Sequence, residues 1–348
     1  MPLSKIQDVD NQVVPNLGRR NLIINGSMMI DQRNDTLEFS ASSGYPCDRW
    51  YVGTNAIGTF EYTQSTDAPA GFGNSMKIQC TAADTSLDSG SYNYIMHKLE
   101  GNALQSMNST NGIVEHTISF YAKSSKTGVY TVNLRDEDNG LGNSKTFTIS
   151  TANTWERYTL TFPAHSSGKL DNDNLSSYRL YWWMASGSTQ TSGTFYNGTW
   201  GAHTNANRVS SSNVNLGDSI SNNFYITGIQ MEVGNKATDF EHRSFAEELR
   251  GCQRYYFEPQ SFNASGRYGI WQGYTNNTKN YNTTIYFPVS MRAHPSVVTT
   301  TTPTDHNFDA TSGNAVTMTE QSVRVYYTAN ATDNDSYYYF SCKATAEL

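Results

Sequence analysis

The chain has 348 residues, of which only 16% are charged, and its formal net charge is −7. It has no basic run or stripe, which argues against a nucleic-acid partner, and no stretch that approaches the roughly 20 apolar residues of a membrane span. Asn, Ser, Thr, Gly and Tyr dominate the composition, and these residues favour pleated strands and tight turns over helices.

The N-terminal segment has no strong periodicity and no apolar core of the kind found in secretion signals. Residues 1–20 contain Pro15 and Gly18, and we interpret them as an extended arm on a protein made in a cytoplasm without export. The cysteines are scattered with no Cys-x-x-Cys pair, so we expect buried free thiols and no zinc site. They are Cys47, Cys80, Cys252 and Cys342.

The next segment, "RNLIINGSMMIDQRN" (20–34), contains two short apolar runs around Asn25-Gly26. An Asn-Gly pair between apolar runs predicts a β-hairpin.

From about residue 50 to 240, apolar and polar residues alternate in short segments. In "VEHTISFYAK", for example, Ile118 and Phe120 share one face while Ser119 and Tyr121 share the other. Turn-rich loops separate these segments and no helix accompanies each strand, which predicts an antiparallel sandwich rather than an α/β fold. Residues 257–348 show the same alternation, as in "TTIYFPVSM", and predict a second small β-domain.

One helix is predicted between these regions, in "TDFEHRSFAEELRGCQRYY" (238–256). Ser244 and Glu247 have the spacing of a capping box. Four residues then fall on one helical stripe, and because a short helix cannot be stable alone, we expect this stripe to pack across the domain junction. Phe245 and Leu249 would dock against the first sandwich, and Cys252 and Tyr256 would point towards the second domain.

The junction also carries motifs that resemble a known family. A Gln-hydrophobic-Glu-x-Gly strand is followed by a Thr-x-Phe-Glu-x-Arg turn and a helix that ends Cys-Gln-Arg-Tyr-Tyr. This arrangement resembles bacteriophage tail-fibre and other virion appendage proteins whose jelly-roll is similar to carbohydrate-binding modules. "RNLIINGSMMIDQR" and "FPVSMRAHPSV" extend the resemblance over most of residues 20–300. The matching junction residues are Gln230, Glu232, Gly234, Thr238, Phe240, Glu241, Arg243, Cys252, Gln253, Arg254, Tyr255 and Tyr256.

The resemblance and the strand pattern together give a domain plan. We expect an attachment arm (1–20), a jelly-roll β-sandwich that resembles a carbohydrate-binding module (21–243), a linker helix (244–256) and a C-terminal β-domain (257–348). The structural junction residues would be Phe240, Glu241, Arg243, Ser244, Glu247, Leu249, Cys252, Arg254 and Tyr256. We interpret Glu241 and Arg243 as an ion pair that holds the turn before the helix.

The sequence contains no catalytic motif: the histidines are dispersed, and neither HExxH nor GxSxG occurs. The acidic runs "RDEDNG" (135–140) and "LDNDN" (170–174) are interpreted as solvated turns, and no cage of oxygen ligands for calcium can be assembled from spacing. We therefore expect no enzyme activity, no cofactor and no metal site.

Aromatic residues are the candidate ligand contacts, because sugar rings present apolar faces that can lie flat on Trp and Tyr. In "YRLYWWM", Tyr181 and Trp183 lie opposite Leu180, Trp182 and Met184, so one set forms core and the other is a candidate for exposure. Aromatic residues among Gly and Asn are further candidates. The full candidate set is Tyr181, Trp183, Tyr196, Trp200, Trp271 and Tyr274.

The resemblance implies a homotrimeric virion protein, attached to the particle by its arm, that contacts a glycan or protein on the host surface. Two alternatives remain open: a capsid decoration or connector protein with a purely architectural role, and a glycan-degrading enzyme. The enzyme would need a pair of carboxylates in a groove, and the chain has no internal repeat of the kind that a β-solenoid would show.

Overall fold

Antiparallel β-sheets make up most of the regular structure, as the sequence predicted. A computed structural model describes residues 19–34, 36–259, 269–300, 305–309 and 314–348. The fold is all-β, with a jelly-roll sandwich, one short linker helix and a second, smaller β-sandwich. In the described part of the chain, no helix is both long enough and apolar enough to cross a membrane.

Two sheets form the first sandwich. Sheet I has the strand order β1-β4-β5-β13-β7-β10, and sheet II has the order β12-β9-β8-β11-β6-β3-β2. The chain crosses repeatedly between the two sheets, which gives the jelly-roll topology. The strands are β1 (Leu37–Phe39), β2 (Ser42–Cys47), β3 (Trp50–Asn55), β4 (Thr59–Ser65), β5 (Ser75–Ala82), β6 (Tyr92–Glu100), β7 (His116–Ser124), β8 (Gly128–Asp136), β9 (Leu141–Ile149), β10 (Glu156–Phe162), β11 (Ser176–Ser186), β12 (Gly201–Ala202) and β13 (Asn223–Val233).

The main core lies between the two sheets and follows the predicted alternation. On β11, Leu180, Trp182 and Met184 point inwards. The Trp182 ring contacts Trp50 and Phe120 at centroid distances of 5.8 and 5.7 Å. The residues between them on β11 therefore point to the outer face of sheet II.

The predicted hairpin at residues 20–34 is wrong, although its turn is present. Asn25 adopts a left-handed backbone with φ of 58°, but the flanking residues form no paired strands. They lie instead along β13, where the Leu22 N–H donates to Met231 O at 3.0 Å and the Ile229 N–H donates to Gly26 O at 2.9 Å. Pairing with the longer strand satisfies the same backbone groups that the hairpin would have used.

Helical segments are short. They are α1 (Ser188–Thr191) and α2 (Phe245–Gln253), together with 3-10 turns at Gly101–Met107, Asn205–Asn207 and Leu216–Asp218. The capping box of α2 is present: the Glu247 N–H donates to Ser244 Oγ at 3.3 Å, and the Ser244 N–H donates to Glu247 Oε2 at 3.0 Å.

The buried side of α2 differs from the expected stripe. Phe245 is 58% exposed and Leu249 is only half-buried, so the expectation that these two residues dock α2 is wrong. Glu248 and Cys252 are buried instead. The Asn25 N–H, which is itself buried, donates to Glu248 Oε2 at 2.7 Å, and this need for an acceptor turns Glu248 inwards.

The second domain is a smaller sandwich. One sheet is organised around β21, which pairs with β14, β15, β17 and β18, and the other has the order β16-β20-β19. Val323, Val325 and Tyr338 lie in the core between them. The strands are β14 (Tyr256–Phe257), β15 (Gly269–Thr275), β16 (Asn280–Tyr286), β17 (Ser296–Thr300), β18 (Asp305–His306), β19 (Asn314–Thr319), β20 (Ser322–Thr328) and β21 (Asp333–Thr345).

Charged side chains join the first sandwich to the linker and to the second domain. Arg254 donates to both carboxylate oxygens of Glu100 at 3.0 and 2.7 Å. Arg33 contacts Asp48 at 3.0 Å and Glu347 at 3.2 Å. Because these groups are largely removed from water, each pair depends on its partner remaining in place.

Candidate functional site

The outer face of sheet II carries five clustered aromatic side chains, which we name the tyrosine face: Tyr51, Tyr92, Tyr94, Tyr181 and Trp183. Tyr94 lies at the centre. Its ring centroid is 5.4 Å from Tyr92, 6.5 Å from Tyr51, and 5.3 Å from both Tyr181 and Trp183. Alternation along β3, β6 and β11 places all five rings on one side of the sheet.

The central ring has room because a glycine lies beside it. Gly53 is paired with Tyr94 across β3 and β6, and a Cβ at Gly53 would lie 2.8 Å from the Cζ and Oη atoms of the Tyr94 ring. The missing side chain therefore lets the Tyr94 ring lie across the neighbouring strand.

A covering segment, residues 187–222 between β11 and β13, lies over part of this face. The Arg208 guanidinium is 4.4 Å from the Tyr181 ring centre and 4.8 Å from that of Trp183. Tyr181 and Trp183 are buried as a result, whereas Tyr51, Tyr92 and Tyr94 are half-buried. The uncovered part of the tyrosine face is the part on β3 and β6.

Three cations lie beside these rings in one line across the sheet. Arg179 on β11 is directly opposite Lys98 on β6 and Arg135 on β8. We name Lys98, Arg179 and Arg135 the cationic row. Glu137 accepts a hydrogen bond from Arg179 Nε and lies 3.5 Å from Arg135 Nε.

Burial changes the titration of groups near the row. Burial, followed by the nearby Arg179 guanidinium, lowers the pKa of Lys98 to about 8. Burial, followed by Arg135, lowers the pKa of His203 to about 4, so this imidazole adds no charge near neutral pH. Burial also lowers the pKa of Arg208 from its ordinary value, as expected when a cation is removed from water.

This arrangement has the chemistry of a binding surface. Half-buried aromatic rings offer flat apolar area at low entropic cost, and the neighbouring guanidinium and ammonium groups are hydrogen-bond donors without acceptor capacity. Within the described ranges, no group of three or more His, Cys, Asp or Glu side chains is placed to hold a metal ion.

The structure buries three of the six aromatic residues named from the sequence. Tyr181, Trp183 and Tyr196 are buried, which contradicts their expected role as open ligand contacts. Trp183 and Tyr181 lie under the covering segment, and the Tyr196 hydroxyl donates to Ala202 O at 2.8 Å within that segment.

The other three predicted aromatic contacts are spread over the molecule. Trp200 packs against the main core, and its Nε1 donates to Pro163 O at 2.7 Å. Trp271 lies parallel to Tyr338 at 5.7 Å in the second domain. Tyr274 is 52% exposed. The six residues therefore do not form one site, and only Tyr181 and Trp183 share a surface.

The predicted junction residues surround α2 and the chain before it. Glu241 accepts from the Asn21 N–H at 2.9 Å and contacts Arg243 at 3.2 Å. Phe240 packs against Phe72 at 5.0 Å. Arg33 lies 3.6 Å above the Tyr256 ring centre.

The two acidic runs meet in space. The last four residues of "RDEDNG" form the turn between β8 and β9, and Asp138 Oδ2 accepts from the Asp171 N–H at 2.8 Å. Burial, followed by the charges of Asp171 and Asp136, raises the pKa of Asp138, although the hydrogen bond from Asp171 acts in the opposite direction. These contacts hold two loops together.

Sequence reasoning missed Tyr51, Tyr92 and Tyr94, and also the cationic row. A signal was available in "YNYIMHK", where Tyr92, Tyr94 and Lys98 share one face of an alternating strand. The cross-strand register that joins this strand to β11 has no local sequence signature.

The comparisons with known proteins concern the fold alone. No protein-family model matches the chain, and no curated protein matches it. The chain is similar to a family 61 carbohydrate-binding module in complex with β-1,4-galactotriose, with 7% identity and a TM-score of 0.32 over 62% of this chain and 100% of that one. It is also similar to a family 11 carbohydrate-binding module from Clostridium thermocellum, with 13% identity and a TM-score of 0.29 over 59% of this chain and 98% of that one.

A third similar structure is the enzymatically active domain of tailspike protein 4 from bacteriophage CBA120. Identity is 12% and the TM-score is 0.31, and the match covers 62% of this chain but only 21% of the tailspike chain. At these TM-scores, the jelly-roll assignment depends on the strand topology described above.

Proposed function

We propose that this protein is a non-catalytic attachment protein of a bacteriophage virion, a tail fibre or similar appendage, that binds a glycan on the host surface. The observation that carries the proposal is the tyrosine face, where three half-buried rings remain uncovered on β3 and β6. The junction motif of the sequence supports a virion setting, because it resembles that of phage appendage proteins.

Binding without cleavage is favoured by the charges at this surface. Glycoside hydrolysis requires two carboxyl groups about 5 to 10 Å apart on either side of the scissile bond. The groups beside the uncovered rings are cations, and the Glu137 carboxylate is occupied by Arg179. A single weak site is sufficient for adhesion when several chains bind one surface together.

The experiment is to apply the purified full chain to an array of bacterial surface saccharides. We expect binding to at least one class of saccharide, with an affinity that falls roughly 10- to 30-fold in Tyr51→Ala or Tyr92→Ala, as for an interface anchor. Trp155→Ala is the matched control, because Trp155 is an aromatic residue on the outer side of sheet I. Release of reducing ends from a bound saccharide would show an enzyme instead.

The architectural alternative is supported by one observation, the burial of Tyr181, Trp183 and Tyr196. An appendage with no ligand would bind nothing on the array, yet the Tyr51→Ala chain would still be incorporated into particles. Recovery of phage with normal adsorption and a Tyr51→Ala/Tyr92→Ala chain would favour this role over adhesion.

We also propose a homotrimer, in which symmetric packing covers exposed apolar residues. Ile270, Tyr274 and Tyr286 in the second domain are 48, 52 and 76% exposed, and Phe245 at the junction is 58% exposed. Light scattering that gives a monomer mass at micromolar concentration would contradict the trimer.

A further inference from the structure

The cationic row is an unfavourable feature for the sheet alone. Lys98, Arg179 and Arg135 are direct cross-strand neighbours, and like charges placed directly opposite each other destabilise a sheet. Adjacent strands lie about 4.8 Å apart, so the repulsion acts over short distances.

Neighbouring groups only partly offset this repulsion. Among the described side chains, Glu137 is the carboxylate that contacts the row, through Arg179 and, at 3.5 Å, through Arg135. Lys98 Nζ donates to the main-chain oxygen of Leu348. Arg135 and Arg179 keep side-chain exposures of 34 and 27%, so a ligand can reach both guanidinium groups.

A fourth cation adjoins the row. Arg208 stacks on Tyr181 and Trp183, its Nε donates to Asn133 Oδ1 at 3.1 Å, and its described contacts include no carboxylate. Its Nη2 atom is buried and has no hydrogen-bond partner. An unpaired buried cation is costly, and a nearby anion would relieve that cost.

The row lies next to the uncovered rings. Lys98 is two residues beyond Met96 on β6, and Met96 is directly opposite Tyr51, so the row is about 7 Å along the strands from the Tyr51 position. Lys98 Nζ is 5.6 Å from the centre of the Tyr51 ring. A sugar ring stacked on Tyr51 would therefore place its substituents within reach of the cations.

We propose that the ligand of the tyrosine face is an anionic saccharide, whose carboxylate groups pair with the cationic row while its sugar rings stack on Tyr51 and Tyr94. This inference depends on the proposed glycan-binding function and names the chemical class of its ligand. Guanidinium groups match carboxylates geometrically and form hydrogen bonds about twice as strong as neutral ones.

The test uses the full chain on an array that contains acidic and neutral saccharides, with each acidic polymer paired with its carboxyl-reduced form. Sulfated dextran and unmodified dextran form a second pair that separates sulfate from carboxylate. We expect binding to carboxylated saccharides, loss of binding on carboxyl reduction, and weakening as NaCl is raised, because salt screens exposed charges.

Arg135→Gln is the informative variant, because Arg135 Nε makes no hydrogen bond and its removal leaves the Arg179–Glu137 pair intact. We expect roughly 10-fold weaker binding, as for the loss of one charge-assisted hydrogen bond. Lys123→Gln is the matched control. It removes a cation that lies 5.2 and 4.5 Å from the rings of Trp155 and Tyr225 on sheet I, and should leave binding unchanged.

The outcomes separate this inference from the proposed function. Binding to neutral saccharides, undiminished binding of carboxyl-reduced forms, or unchanged affinity of Arg135→Gln would overturn the inference while leaving glycan binding in place. Binding to sulfated dextran alone would reject carboxylate as the recognised group. Failure to bind any saccharide would overturn the proposed function, and the inference with it.

Discussion

The two outer faces of the first sandwich use similar residues for different purposes. On sheet I, Lys123 lies over the rings of Trp155 and Tyr225, as cations lie beside rings on sheet II. Here, however, Asp67 pairs with Lys123 and also accepts from Trp155 Nε1 at 3.1 Å. The Lys123 cation on sheet I is therefore neutralised by the Asp67 carboxylate, and these contacts hold the loop between β4 and β5 against the sheet.

Phe72 lies in the same loop between β4 and β5 and makes a further aromatic contact on the outer face of sheet I. Phe72 packs on Tyr121 at 5.3 Å, and both rings lie over Gly228, where a Cβ would be 2.7 Å from Phe72 Cζ and 2.9 Å from Tyr121 Cδ2. Aromatic and cationic residues together are therefore no marker of a site. The rings on sheet I are half-buried like those on β3 and β6, so sheet II differs from sheet I in its charge: its cations outnumber the side-chain carboxylates that contact them.

The largest expected effect is on the stability of sheet I. Gly228 has φ of +61°, and Gly228→Val would add backbone strain and displace Phe72, which should lower the free energy of unfolding by about 2 to 4 kcal/mol. Binding by the folded variant should be unchanged. Chemical denaturation measures the loss of stability, and saccharide titration measures binding. A Gly228→Val chain that is fully stable but no longer binds saccharide would show that sheet I, and not sheet II, carries the binding surface.

The next largest effect is on binding at sheet II. Tyr94→Ala removes the central ring of the tyrosine face and should weaken saccharide binding by about 2 kcal/mol, or roughly 30-fold. Gly53→Ala should weaken binding less, by displacing the Tyr94 ring. Calorimetric titration measures the affinity of both variants, with Trp155→Ala as the control. An equal loss of affinity in Trp155→Ala would show that binding is not confined to the tyrosine face.

Binding measured at several pH values distinguishes Lys98 on sheet II from Lys123 on sheet I. Because the pKa of Lys98 is about 8, its ammonium is charged below that pH and neutral above it. Anionic ligand binding should therefore weaken as pH rises from 7 to 9, by on the order of 1 kcal/mol. The charged groups that influence Lys98 are Arg179, Glu137, Arg49 and Glu347.

The variants decide whether Lys98 causes this pH dependence. Lys98→Gln should bind more weakly at pH 7 and lose most of the change between pH 7 and 9, whereas Lys123→Gln should retain it. A pH profile that is identical in the wild-type chain and Lys98→Gln would contradict this assignment.

The smallest effect is expected at α2, where Glu248 and Cys252 are buried and Phe245 is exposed. Phe245 and Leu249 border a cleft of about 400 Å³ with Ile30 and Tyr286. Because neither residue is fully buried, Leu249→Ala should cost less than about 1 kcal/mol, well below the 2 to 4 kcal/mol expected of a core leucine. Limited proteolysis between residues 235 and 260 should increase more for Glu241→Ala, which removes the acceptor of the Asn21 N–H.

Local patterns in the sequence predicted the strands and the helix cap well. The alternation correctly grouped Leu180, Trp182 and Met184 on one face of β11, and Ser244 with Glu247 gave the start of α2. These features depend on neighbours within a few residues, so a short segment contains the information that fixes them.

Features that depend on distant contacts could not be predicted in this way. Burial of Trp183 depends on Arg208 in the covering segment, and the buried side of α2 depends on Asn25, which is far away in sequence. The cationic row likewise exists only because register aligns three strands. Residue propensities and hydrophobic periodicity do not show which distant segment will cover a face of a sheet. They also do not show which residue will lie opposite another on a neighbouring strand.

Strand alternation at the cationic row has a consequence for how such a protein can diversify. The residues next to the row along β6, β11 and β8 include Leu99, Leu180 and Leu134, which belong to the main core. Successive side chains point to opposite sides of a sheet, so the three outward positions can change identity without altering the volume that fills the interior. Under the proposed function, substitutions at these three surface positions would change which host polysaccharide is bound, while the sandwich itself stays the same.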